Sequence, residues 1–194
     1  KAVCARGLGR GLDLWDGELH VRTVGVPLVP SALALLGGGG GGDVAAVAGD
    51  GQVCAFDLRA SERAGLVARV AVNTSAAPLH ALDAAGHCVA ACGEERVVTV
   101  YDTRRWTPLN RVQGCGRQAL THLAACAGEV GRDGHGFATA GMDCEASVRG
   151  WGKAAAGRGF TFRCDGRFAG LARAQGADLF AAYTATGALY AFAL

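Results

Sequence analysis

A chain built from one recurring hairpin has few folds open to it. Residues 88–105 read CVAACGEERVVTVYDTRR. The small apolar run Cys88-Val89-Ala90-Ala91-Cys92 is one strand and Gly93-Glu94-Glu95-Arg96 is a turn. The β-branched run Val97-Val98-Thr99-Val100-Tyr101 is a second strand, followed by Asp102. β-Branched and aromatic residues suit a half-buried pleated surface, and glycine with charged neighbours ends it. Four other stretches follow the pattern: residues 3–16 (VCARGLGRGLDLWD), 44–57 (VAAVAGDGQVCAFD), 137–151 (FATAGMDCEASVRGW) and 179–192 (LFAAYTATGALYAF). Their closing aromatics are Trp15, Phe56, Tyr101, Trp151 and Phe192, separated by 41, 45, 50 and 41 residues.

A period near 40–45 residues with four strands per unit is the signature of a propeller blade. The other two strands come from the segments between hairpins. Before four hairpins stands an apolar pair spaced by three: Leu33/Leu36, Leu79/Leu82, Leu120/Leu123 and Phe168/Leu171. After four hairpins stands an extended stretch: residues 19–24, 66–72, 107–112 and 160–164. Lettering the strands a to d from the inside outward, the chain runs b-c-d, three full units, then a-b-c. The expectation is an all-β, four-stranded antiparallel propeller of about five blades, the first and last incomplete. The blades fall at residues 1–25, 26–73, 74–113, 114–164 and 165–194. Such a piece belongs to a longer protein and leaves exposed strand edges, which template association. The runs SALALL, ALTHLAACA and GLARAQGADLFAAY have helical propensity. Each sits at the strand-a phase of the repeat, so strand is expected there.

Residues 101–115, YDTRRWTPLNRVQGC, carry the closest likeness to a known family. They resemble the Trp-Asp ending, outer strand and Gly-His dipeptide of WD-repeat β-propellers. Trp15-Asp16 is the literal Trp-Asp; Phe56-Asp57 and Tyr101-Asp102 are substitutes, and Trp151-Gly152 and Phe192-Ala193 lack the Asp. The family's buried His is replaced by Cys115 after Gly114, while turn acids remain at Asp50, Glu94 and Asp143. The resemblance therefore implies a propeller with fewer polar locks between blades, and a scaffold that binds proteins rather than an enzyme.

Composition narrows the classes. Half the chain is apolar (51%), 19% is charged, and the net charge is +2. The pI near 8.2 falls short of the basic surface typical of nucleic-acid binders. A nucleic-acid reading through Arg104, Arg105, Arg111 and Arg117 is thus the least favoured. No apolar run approaches the ~20 residues of a membrane helix. Eight cysteines (4, 54, 88, 92, 115, 126, 144 and 164), several on buried strands, read as reduced thiols of a cytoplasmic or nuclear protein.

No catalytic, cofactor or metal set emerges. Cys88 and Cys92, beside His87, share a strand face but lie ~13 Å apart, too far to share an ion. His20, His80, His122 and His135 stand at different phases and read as inner-strand or channel-lining residues. The hexaglycine of residues 37–42 precedes a strand, not the Lys-Ser/Thr and helix of a phosphate loop. Residues 127–136 form a long a–b loop. Asp165-Gly166 is a turn, and its Arg167 is off-phase. One motif repeats in phase: Phe56-Asp57-Leu58-Arg59 and Tyr101-Asp102-Thr103-Arg104. Arg59 and Arg104 open equivalent c–d loops, so they are the candidate partner-binding residues, flanked by the two a–b loops. Similar paired motifs in WD-repeat substrate receptors of cullin-4 ubiquitin ligases face the ligase adaptor. The resemblance thus names that adaptor as one candidate partner.

Overall fold

The computed structural model describes residues 2–37, 43–61, 64–126, 136–151, 159–174 and 179–193. These residues form strands, turns and loops, with no helix. The first sheet is β1 (Ala2–Arg6), β2 (Gly11–Asp16) and β3 (Leu19–Gly25). The second is β4 (Ala32–Leu36), β5 (Val44–Gly49), β6 (Gln52–Asp57) and β7 (Leu66–Ala71). The third is β8 (Leu79–Ala85), β9 (Cys88–Gly93), β10 (Val98–Asp102) and β11 (Thr107–Val112). The fourth is β12 (Leu120–Cys126), β13 (Gly136–Gly141), β14 (Glu145–Gly150) and β15 (Gly159–Arg163). The fifth is β16 (Phe168–Arg173), β17 (Leu179–Thr184) and β18 (Leu189–Ala193).

Every sheet is a meander of antiparallel neighbours in chain order. Strands β4, β8, β12 and β16 lie against one another in succession. The sheets therefore radiate from a shared inner row, which is a propeller-like arrangement. All the helix-prone runs are strands here, at β4, β12, β16 and β17; residues 175–178 of the last run lie outside the described residues. Tertiary pairing outweighs their modest helix propensity.

Why such sheets stack is legible in their second strands. VAAVAG, CVAACG and GFATAG contain little beyond Ala, Cys, Val and Gly, and almost every residue is buried. Small side chains on both faces let neighbouring sheets approach closely. At the ends of two of these strands a side chain is excluded outright. A Cβ on Gly49 would stand 2.0 Å from the Val29 carbonyl oxygen, and one on Gly93 2.2 Å from that of Pro78. Each glycine admits the segment that leads into its own sheet's inner strand.

The closing aromatics fill the junctions. Phe56 packs with Leu12 and Val24 of the first sheet, and Tyr101 with Ala46 and Val53 of the second. Trp151 packs with Ala90 and Val98 of the third, and Phe192 with Ala138 and Val148 of the fourth. Each is a wedge against the preceding sheet. Cys115 is buried among apolar residues, and among the described residues the buried Thr99 and Thr139 hydroxyls have no hydrogen-bond partner. Other bonds cross the junctions instead. The Ser31 hydroxyl donates to the Leu79 carbonyl (2.6 Å) and the Tyr101 hydroxyl to that of Ala71 (3.0 Å). The Asp83 carboxylate accepts from the Ala125 amide (2.8 Å), and Arg173 donates to the Ala125 carbonyl (3.1 Å).

The two end sheets present different free faces. On the fifth, Leu179, Tyr183 and Leu189 are exposed, Leu189 to 74%. On the first, Arg6 pairs with Asp13 at 2.8 Å, Thr23 donates to the same carboxylate, and Trp15 meets His20 edge-on.

Candidate functional site

In a meander, the first-to-second and third-to-fourth connections leave at one rim, and the others leave at the opposite rim. Arg59 and Arg104 both follow a third strand, so the topology brings them to the same rim. The approach to each is built alike. The outer strand of each sheet bulges at the same place: β7 carries the extra residue Val67 opposite Ala55 and Phe56, and β11 the extra residue Leu109 opposite Val100 and Tyr101. A bulge bends its own strand and increases the local twist of the pair. Opposite each bulge the aromatic packs into the junction and the Asp stands at the strand end.

The two carboxylates are used identically. Asp57 Oδ1 accepts from the Arg59 backbone amide (2.9 Å) and Nε (3.1 Å), and Oδ2 accepts from Nη2 (3.0 Å). Asp102 Oδ1 accepts from the Arg104 amide (2.9 Å) and Nε (3.0 Å), and Oδ2 accepts from Nη2 (2.8 Å). Hydrogen bonds from the arginine side chain, then from its amide, hold both carboxyls at a pKa of about 2. The loops are also tied back alike: Leu58 donates to the Asp43 carbonyl and Thr103 to that of His87.

Each guanidinium is thereby oriented yet exposed, Arg59 to 68% and Arg104 to 67%. An Nη1 group remains to reach outward on each, and Arg59 Nη1 also lies 3.6 Å from Asp43. A planar fork held in place loses less freedom when it binds a second carboxylate or a carbonyl. The hexaglycine beyond Gly37 and residues 127–135, both expected to flank this rim, lie outside the described residues.

The other sequence candidates fall elsewhere. Arg111 pairs with Glu95 (2.8 Å) and Arg117 with Glu145 (3.3 Å), close to the opposite rim from Arg104. The four arginines of the nucleic-acid reading therefore do not gather on one surface. Cys88 and Cys92 lie in β9, both buried, and burial raises both thiol pKa values. His80 stands 3.3 Å from Glu94, and half-buried His122 has its pKa lowered by burial. His20 corrects the inner-strand expectation: it sits on β3, the outermost strand of the first sheet. His135 lies outside the described residues. Among the described residues no three His, Cys, Asp or Glu side chains group as metal ligands, and no helix is long and apolar enough to cross a membrane.

One site went unread in the sequence. At the opposite rim, the second-to-third turns of the third and fourth sheets and the segment entering β12 line an open, shallow cavity of about 400 Å³. Its lining is Glu94, Arg96, Arg117, Gln118, Ala119 and Met142. These residues meet only when two sheets are neighbours, so spacing along one repeat does not reveal them.

No protein-family model matches the chain, and no curated protein matches it. Solved structures do, with 1056 chains sharing the fold. One, from the crystal structure of the mitotic checkpoint complex, superposes with a TM-score of 0.73 at 17% identity. The match covers 96% of this chain and 55% of that one, so this chain spans about half its length. At that identity, and among so many chains, the likeness establishes the fold alone: antiparallel sheets in a propeller-like array, an architecture shared by proteins of many functions.

Proposed function

We propose that this chain is a divergent WD-repeat propeller of about five blades, first and last incomplete. It acts as a non-enzymatic scaffold for other proteins, in the cytoplasm or nucleus, with Arg59 and Arg104 among its partner-binding residues. The observation that carries the reading is the duplicated fork: two exposed guanidinium groups on adjacent sheets, each fixed by the same three hydrogen bonds. Rigid, repeated cations at one rim suit a broad protein surface, where an oriented arginine is a frequent hot spot. A nucleic-acid partner is disfavoured because its four candidate arginines are dispersed and three of them, Arg104, Arg111 and Arg117, are ion-paired.

A second reading, a substrate receptor of a cullin-4 ubiquitin ligase, is favoured by the same pair, since Arg59 and Arg104 match that group's paired motif in adjacent repeats. Affinity capture with mass spectrometry tests both. The double variant Arg59→Ala/Arg104→Ala should keep the wild-type melting profile and lose one major partner. Retention of every wild-type partner would remove the two arginines from the site. Absence of the cullin-4 adaptor from the wild-type capture would end the second reading and leave the first standing.

A further inference from the structure

The cavity at the opposite rim is preorganised by an acid that sequence reading placed only as a turn residue. Asp143 Oδ2 accepts from the backbone amides of Arg117 (2.7 Å) and Gln118 (3.1 Å). Met142 donates its amide to the Ala119 carbonyl (3.1 Å), and Glu94 donates its amide to that of Pro78 (3.0 Å). Two walls of the cavity are thus held by backbone hydrogen bonds. Arg96 closes the third, its Nη1 donating to the Arg117 carbonyl at 3.1 Å.

The side chains are less fully engaged than the backbone. Arg96 is exposed and has no carboxylate partner among the described residues; its other guanidinium donors are uncommitted. Arg117 Nε lies 3.3 Å from Glu145, and the Arg117 side chain is largely exposed. Met142, 41% exposed, offers a thioether between these cations. The one acid in the lining, Glu94, is already beside His80.

We infer that this cavity binds a short peptide segment of a partner, in which an oxyanion docks between Arg96 and Arg117 and an adjacent apolar side chain rests on Met142 and Ala119. Guanidinium groups recognise carboxylate and phosphate by paired N–H donors, and a thioether adapts to varied apolar shapes. The inference deepens the scaffold reading and rests on it, but uses the rim opposite Arg59 and Arg104.

The chain contains a single methionine, so [13C-methyl]methionine labelling places one NMR reporter inside the site. The full chain is titrated with the blocked peptide Leu-Asp-Glu-Leu, with its phosphoserine counterpart, and with a lysine counterpart. An anionic peptide should shift the Met142 methyl saturably, and the lysine peptide should not. Whichever anion binds more tightly identifies the source of the oxyanion. Arg96→Glu should weaken the binding roughly tenfold or more, and Glu94→Gln should tighten it, which keeps the test alive if the charge reversal misfolds. No saturable shift with either anionic peptide, an equal shift with the lysine peptide, or affinity unchanged by both variants would overturn the assignment. Failure here with partners still captured sinks the cavity and spares the scaffold; capture of no partner by the wild type sinks the scaffold reading instead.

Discussion

Trp15-Asp16 and Tyr101-Asp102 occupy the same place in the first and third sheets, and both face a bulge in the strand that follows, at Val21 and Leu109. Trp15-Asp16 is a literal Trp-Asp dipeptide; Tyr101-Asp102 has tyrosine in place of the tryptophan. Yet Tyr101 is 4% exposed, wedged on the second sheet and bonded through its hydroxyl to Ala71. Trp15 is half-buried and meets its own sheet's His20 edge-on, and Asp16 is exposed. The turn after Asp16 has two residues, Gly17 and Glu18, and offers no arginine. The lesson is that position in the stack, not fidelity to a motif, decides what a residue holds together.

The largest effect should separate the wedges. Tyr101→Ala opens a cavity at a sheet junction and should cost about 3–5 kcal/mol, the range for deleting a buried aromatic. Trp15→Ala should cost under about 1 kcal/mol, within the range of most surface changes. Urea melts of the two variants measure the gap, and equal losses would break the comparison. Tyr101→Phe isolates the hydroxyl and should cost about 1 kcal/mol.

The two fork acids should give stability a pH dependence. Asp57 and Asp102 have folded-state pKa values of about 2, below the ordinary carboxylate range. Their contribution to stability is complete above the unfolded pKa near 4 and is lost as pH falls through about 2. Melts from pH 7 to 2 of Asp57→Asn/Asp102→Asn should therefore show a shallower acid loss than the wild type. The smallest effect is expected at the hydroxyls without partners. Thr139→Val removes a buried polar atom that no protein group satisfies, so stability should stay level or rise.

Most of the strand map was open to sequence reading because a period amplifies weak signals: five aromatics at one phase outweigh the helical propensity of SALALL or ALTHLAACA. The paired arginines were legible for the same reason, each lying two residues beyond the Asp that binds it. What crosses between sheets was not. Ser31 to Leu79, Asp83 to Ala125, and the cavity between Arg96 and Arg117 join residues 20 to 50 positions apart. Their meeting depends on which sheet is whose neighbour and how closely small-residue strands allow the approach. Cys115 in the place of a histidine announced a missing polar set, but not the bonds that stand in its place.

The central claim is that Arg59 and Arg104 act together from one rim on one partner. Its most direct test is a double-mutant cycle on the affinity of a captured partner, comparing wild type, Arg59→Ala, Arg104→Ala and the double variant. Each single change should weaken that partner, the double should weaken it more than either, and thermal stability should hold throughout. Affinity unchanged in all three variants, or two different partners lost by the two single changes, would contradict it.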